Sequence, residues 1–235
     1  MTTIARNLQD VRERIATACQ LAGRGVQDVT LLAVSKTFGP DAVRAAYDAG
    51  QRAFGENYVQ EGVSKIAALA DLPGMQWHCI GPLQSNKTRP VAEHFDWVHT
   101  VDRLKIAERL SAQRPPARGP LNVCIQVNID GGPTKSGVAP AEALTLARAV
   151  AALPHLALRG LMTIPDPAAD VEAARALHAR AKALLNELNA AGLRLDTLSM
   201  GMSADLEAAI AAGSTLVRVG SAIFGPRAPQ EPGSV

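Results

Sequence analysis

Short, nearly continuous apolar runs alternate along this chain with longer stretches in which apolar side chains return every third or fourth position. The short runs predict strands at Thr30 to Ser35, Arg52 to Gly55, Gln76 to Ile80, Trp97 to Thr100, Asn122 to Ile129, Leu158 to Thr163, Thr197 to Met200 and Leu216 to Val219. The longer stretches predict an opening helix, then helices at Asp41 to Ala49, Val59 to Ala70, Leu83 to His94, Leu104 to Gln113, Ala141 to Ala152, Ala168 to Ala191 and Ala204 to Ala212. Gly50, Gly192 and Gly213 each stand just past an apolar-periodic run, where a left-handed residue ends a helix.

Strands separated by helices pair in parallel, because each crossover must carry the chain back to the same edge of the sheet. Eight such units predict an α/β fold, a single (β/α)8 TIM-type barrel preceded by an extra N-terminal helix. The rival is an open doubly wound sheet, which would normally show GxGxxG after its first strand, and LLAVSKTFGP has no such pattern. At 235 residues the chain suits one large domain, expected over residues 1–225. The Pro/Arg-rich Ser111 to Pro120 reads as an exposed connection, since the alternation resumes directly after it. The polar, Pro-rich tail 226–235 is expected to be disordered.

Charge and composition narrow the chemistry. Lys and Arg number 24 against 22 Asp and Glu, and no basic run could follow a phosphate backbone. Aromatic residues make up 3%, too few for base-stacking platforms, so nucleic acid is not the expected partner. Cys19, Cys79 and Cys124 lie far apart with no metal-binding spacing and read as buried reduced thiols. No apolar stretch approaches the ~20 residues of a membrane span, and charges interrupt residues 1–22. A cytoplasmic location without membrane contact is expected.

Barrel enzymes work at the carboxyl ends of their strands, which directs attention to the residues that close each apolar run. Lys36 ends LLAVSK on the same face as Leu32 and Val34, so a lumen-facing strand would raise its amine into the barrel mouth. There it could act as a Schiff-base nucleophile; the alternative is a lysine snorkelling to water. In LSMGMSADLEAAI, Ser199, Gly201, Met202 and Ser203 join the seventh strand to a helix. Ser203 reads as the helix N-cap and Gly201 as a point of close backbone approach to a ligand, near where barrels often hold phosphate. In VRVGSAIFG, Arg218 shares a face with Gly220. A buried guanidinium needs a partner, either a bound anion or ring or an internal carboxylate, for which Glu56 is the candidate. Asn57, at the end of the second strand, offers a neutral hydrogen-bonding group or an ordinary turn residue. An amine, a phosphate pocket and an inward guanidinium together suit pyridoxal 5′-phosphate.

LLAVSK, FGENYVQE, WHCIGPLQSNK, the KSGV of Lys135 to Val138, LRGLMTIP, LSMGMSADLEAAI and VRVGSAIFG together resemble the YggS/PROSC family of pyridoxal phosphate homeostasis proteins. The resemblance runs from the opening helix to Pro226 and implies the alanine racemase-like barrel, fold type III of pyridoxal phosphate proteins. It implies the cofactor as a Schiff base on Lys36, with Ser199, Ser203 and Gly220 around the phosphate and Arg218 facing the pyridine nitrogen. The loop Asp130 to Thr134 departs from the more acidic family pattern, which leaves Lys135 without an implied cofactor role, and none is assigned to Lys87.

An arginine facing the ring nitrogen leaves it unprotonated and the ring a weak electron sink, and racemisation needs acid/base groups on both substrate faces. The related racemases carry an additional C-terminal β domain, for which the residues after the eighth unit are too few. The expected function is therefore to bind and deliver the cofactor, to apoenzymes or free amino acids, with a monomer expected. The alternative is a weak single-domain racemase or lyase, with Tyr58 a conceivable base; a Schiff-base aldolase keeps Lys36 and the phosphate pocket but predicts a colourless protein.

Overall fold

Eight parallel strands close into a ring in sequence order, the arrangement that the alternating pattern demands. They are β1 Thr30–Val34, β2 Ala53–Glu56, β3 Gln76–Cys79, β4 Trp97–Val101, β5 Leu121–Gln126, β6 Leu156–Met162, β7 Thr197–Met202 and β8 Leu216–Val219. The computed structural model describes residues 2–132 and 135–226. Closure is made by β1 against β8, with Leu32 opposite Arg218 and Ala33 opposite Val219. The expected tail lies outside the described residues except for Pro226.

Helices α1 Thr3–Leu21, α2 Pro40–Asp48, α3 Val59–Ala68, α4 Thr88–His94, α5 Leu104–Gln113, α6 Ala143–Ala151, α7 Val171–Ala190, α8 Leu206–Ala211 and α9 Ser221–Phe224 accompany the strands. In α1, Leu8, Val11, Ile15, Ala18 and Cys19 fall on one buried stripe. The Thr2 hydroxyl caps its start by accepting from the Ala5 N–H at 3.2 Å. Among the described residues no helix is long and apolar enough to cross a membrane.

The differences from the sequence expectation are local. The stretch expected as one helix from Leu83 opens instead with a tight turn over Ser85–Lys87, and α4 begins at Thr88, with Pro90 in its first turn where a missing N–H costs nothing. Helix α7 starts after Asp170, whose carboxylate accepts from the Ala173 N–H at 2.8 Å and so fixes the first turn later than Ala168. Helix α9 is a single turn, too short to leave a periodic signal.

Two apolar layers result. The larger lies between the outer strand face and the helices, and includes Ala33, Phe54, Val98, Val123, Leu161 and Leu198. The smaller fills the lumen with Leu32, Val34, Ala53, Ile80 and Leu216. Leu32 and Val34 therefore face inward, which sends the following even-numbered residue, Lys36, toward the mouth. All three cysteines are buried and free.

Strand β6 touches β7 so closely at Gly160 that a Cβ there would sit 1.7 Å from the Thr197 carbonyl oxygen. Gly160→Ala is expected to force the two strands apart and cost about 1–3 kcal/mol. A urea midpoint unchanged from the parent protein would contradict this packing.

Candidate functional site

The carboxyl ends of β1, β2, β7 and β8 enclose a cavity of about 400 Å3 at one mouth of the barrel. Lys36, Asn57, Met202, Ser203, Arg218 and Gly220 all line it, with Val34, Ile80 and Ile164 as apolar walls. Six of the eight expected site residues thus meet in one space. Ser199 and Gly201 are not among its lining residues.

Lys36 is half-buried, and the backbone on both sides of it is fixed. On one side the Lys65 ammonium donates to the Ser35 carbonyl at 2.7 Å. On the other the Thr37 N–H donates to Glu61 Oε1 at 2.6 Å, and Thr37 is held at φ 69°. That φ lies in the left-handed region that a β-branched residue avoids, so the surroundings must impose it. They do so through one buried network. Lys65 also donates to Glu56 Oε1 and to Glu61 Oε1, each at 2.7 Å, and the Ser35 hydroxyl donates to Glu56 Oε1 at 2.6 Å. Burial pushes the Glu56 carboxyl above its ordinary range, with Lys65 pulling the other way.

Glu56 is therefore spent on Lys65, and the expectation that it could neutralise Arg218 is corrected. Arg218 is met instead by neutral acceptors: the Ser199 carbonyl and hydroxyl, each at 2.7 Å, and the Thr163 carbonyl at 2.9 Å. Burial lowers its pKa to about 10, so it stays protonated near neutrality. A guanidinium carries more N–H donors than these three acceptors use, which leaves donors for a ligand in the cavity that it lines.

Below Arg218 a column of polar side chains runs down the lumen. Ser199 Oγ, which accepts from Arg218, also shares a hydrogen bond with His99 Nδ1 at 2.9 Å. His99 Nε2 in turn shares a hydrogen bond with His78 Nδ1, also at 2.9 Å, and His78 Nε2 has no partner among the described residues. Trp97 stacks on the His78 ring at 5.3 Å. Burial depresses both imidazoles, His78 to about 3, and keeps them neutral. The sequence reading missed this column. Its signal was the alternation that places His78 in phase with lumen-facing Ile80.

The loop after β7 also differs from expectation. Ser199 meets Arg218 and His99 and is not among the cavity's lining residues; it is the second rung of that column. Gly201 has φ 91° and sits where the β7 to β8 register slips between Ser199 and Met202; a Cβ there would meet Ala209 Cβ at 2.4 Å. It is a bulge glycine packed against α8 and is not among the cavity's lining residues. Ser203 does not cap α8; Asp205 occupies the N-cap, and its Oδ1 accepts from the Met202 N–H at 2.6 Å. Ser203 remains at the cavity wall, its carbonyl held by Arg14 of α1 at 3.0 Å. Lys135 pairs with Asp166 at 2.6 Å, and among the described residues no cluster of His, Cys, Asp or Glu could hold a metal.

Two consequences are measurable. Lys65→Met strands the buried Glu56 carboxylate and is expected to cost about 3–5 kcal/mol, part of which Glu56→Gln should restore in the double variant. Equal urea midpoints for the single and double variants would contradict the network. The histidines give a pH dependence: above their ordinary pKa of 6.5 they cost nothing, and below it the unfolded chain binds protons that the folded lumen refuses. Stability is expected to fall between about pH 7 and about pH 5, on the order of 2 kcal/mol from His78 alone. A pH-independent urea midpoint over that range would show the column to be solvated.

The alanine racemase N-terminal domain family matches residues 6–228 of the chain. The pyridoxal phosphate homeostasis protein of Pseudomonas aeruginosa is 60% identical over 227 residues, covering 97% of both chains. The protein of that name from Escherichia coli K12 is 55% identical over 229 residues, covering 97% of this chain and 98% of the other. PipY of Synechococcus elongatus PCC7942, solved with PLP bound, superposes with a TM-score of 0.83 at 40% identity, covering 94% of this chain and all of that one. With Lys36 and Arg218 at one barrel mouth and relatives of this identity along nearly its whole length, the chain belongs to the pyridoxal phosphate homeostasis protein family, on the alanine racemase N-terminal barrel.

Proposed function

We propose that this chain binds pyridoxal 5′-phosphate and holds it for delivery inside the cell, with Lys36 as the amine that takes the aldehyde covalently. The observation that carries this reading is the convergence of Lys36 and Arg218 on one cavity. The cavity fits such a ligand. It pairs an amine with a guanidinium that has donors to spare, and Asn57 presents a buried Oδ1 with no partner among the described residues. At Gly220 a Cβ would come within 3.2 Å of the Val34 carbonyl, so the wall there is bare backbone. PipY, solved with PLP bound, and the names of the curated relatives support the assignment.

When bound, the cofactor supplies an aldehyde for amines and a ring that can stabilise a carbanion. The residues here favour the first use. Arg218 is a permanent donor lining the cavity, so a ring nitrogen placed beside it would accept a hydrogen bond and stay unprotonated. Val34, Ile80 and Ile164 keep water away from one side of the space. Racemisation needs a second acid or base opposite Lys36. Among the described residues lining the cavity there is no tyrosine, histidine or carboxylate. Tyr58 is exposed at the start of α3, and Tyr47 donates its hydroxyl to the Pro73 carbonyl at 2.9 Å. This favours carriage over the racemase or lyase reading, and apoenzymes and free amino acids are the proposed recipients.

Mixing the protein with the cofactor is expected to produce a yellow absorbance band, and borohydride treatment should fix the added mass to the peptide containing Lys36. Lys36→Ala should show neither. The same band in Lys36→Ala, or reduction onto another lysine, would remove the proposal. Chiral chromatography of amino acids with the loaded protein is expected to show no turnover above free cofactor; a clear excess would favour the racemase.

A further inference from the structure

A second cavity, of about 460 Å3, adjoins the first and shares Ile164, Met202 and Ala204 with it. It lies between α7 and the loops that follow β6 and β7. Its walls are aliphatic, and three of them, Ile164, Val171 and Met202, are among the exposed large apolar residues of the described chain, at 36%, 72% and 41%. Exposed apolar side chains gathered around a concave space mark a binding surface, whereas the same residues scattered singly would mean little.

The charge around this space is predominantly negative. Asp166, Asp170, Asp205 and Glu207 line it; Lys135 pairs with Asp166 and Arg14 of α1 pairs with Glu207 at 2.9 Å, so the carboxylates outnumber the cations that meet them. Carboxylates in that number repel an anion and favour an ammonium group. A second observation comes from His178, 1% exposed and also lining the space. Its Nε2 pairs with Asp205 Oδ2 at 2.9 Å, and burial, the first influence on Asp205, is outweighed by this and other hydrogen bonds that keep the carboxylate ionised. The other ring nitrogen, Nδ1, is buried and has no partner among the described residues. An aliphatic stem for the walls and an N–H donor of positive charge for the acidic end describe one class of molecule.

We propose that this annex binds a primary alkylammonium compound, one shared wall away from Lys36. The binding stands on the annex itself; its use rests on the carrier reading above, to whose proposed recipients it adds a class of amines with an apolar stem and no carboxylate. Phosphate-bearing and carboxylate-ended molecules are disfavoured by the same four side chains.

The test uses the cofactor-free full chain with methyl-labelled Ile, Met and Ala, titrated with n-hexylammonium, hexanoate and hexanol and read by NMR. The Ile164, Met202 and Ala174 methyl signals are expected to shift with hexylammonium at an affinity at least about tenfold above the other two, equivalent to about 1.4 kcal/mol. Ala174→Leu, which fills the annex, should weaken that affinity by about tenfold or more and leave reductive trapping of the cofactor on Lys36 unchanged. Equal affinity for hexanoate or hexanol, shifts confined to other methyls, or unaltered binding in Ala174→Leu would each overturn the proposal. Failure of cofactor trapping with the methyl shifts intact would remove the carrier reading and leave the annex standing.

Discussion

The Lys65 ammonium sits inside the protein between the Ser35 carbonyl, Glu56 and Glu61, and the position of Lys36 depends on it. A buried ion pair is weak evidence for stability, since desolvation offsets most of its attraction. Its value here is geometric. Ser35 and Thr37 flank Lys36, and both are tied to this one network, Thr37 in a backbone conformation that it would not adopt freely. A lysine side chain has many rotamers, so a fixed backbone at its root is the cheapest way to confine where the amine can go.

The opposite wall is built on the same principle with different groups. Arg218 gives up water for two carbonyls and a hydroxyl rather than for a carboxylate. A carboxylate would have neutralised its charge; neutral acceptors orient the guanidinium and leave its field directed at the cavity. The neutral histidines beneath continue this logic, because a charged imidazole would repel Arg218 in a medium where repulsion is weakly screened. The lumen is thus polar along one column and aliphatic elsewhere, with Leu32, Val34 and Leu216 filling the remaining space. The chain's membership of the homeostasis family fits this rigid holder, in which the cavity presents a lysine and an arginine and no tyrosine, histidine or carboxylate among the described lining residues.

Much of this was legible from the order of residues. All eight strands lie where apolar runs predicted them, because a parallel barrel buries both strand faces and writes each strand as a short continuous run. Strand parity put Lys36, Arg218 and Gly220 on the lumen side, where all three line the cavity, while their expected roles came from the family resemblance. What the sequence hid was the choice among partners. Glu56 could reach either cation on paper, and only the packing of α3 against β1 and β2 decides for Lys65. Ser203 carries the right chemistry for a cap, yet Asp205, two residues on, takes that position after the bulged end of β7. His78 and His99 were visible as inward positions, but a contact between residues on neighbouring strands has no local signature.

The central claim is that the amine of Lys36 and the guanidinium of Arg218 act on one ligand from two walls of the same cavity. A crystal structure of the chain grown with pyridoxal 5′-phosphate tests it most directly. Continuous density from Lys36 Nζ to the cofactor, with Arg218 in hydrogen-bonding contact with the ring nitrogen, is the expected result. Density for the cofactor at another lysine, or a ring whose nitrogen faces away from Arg218, would contradict the account.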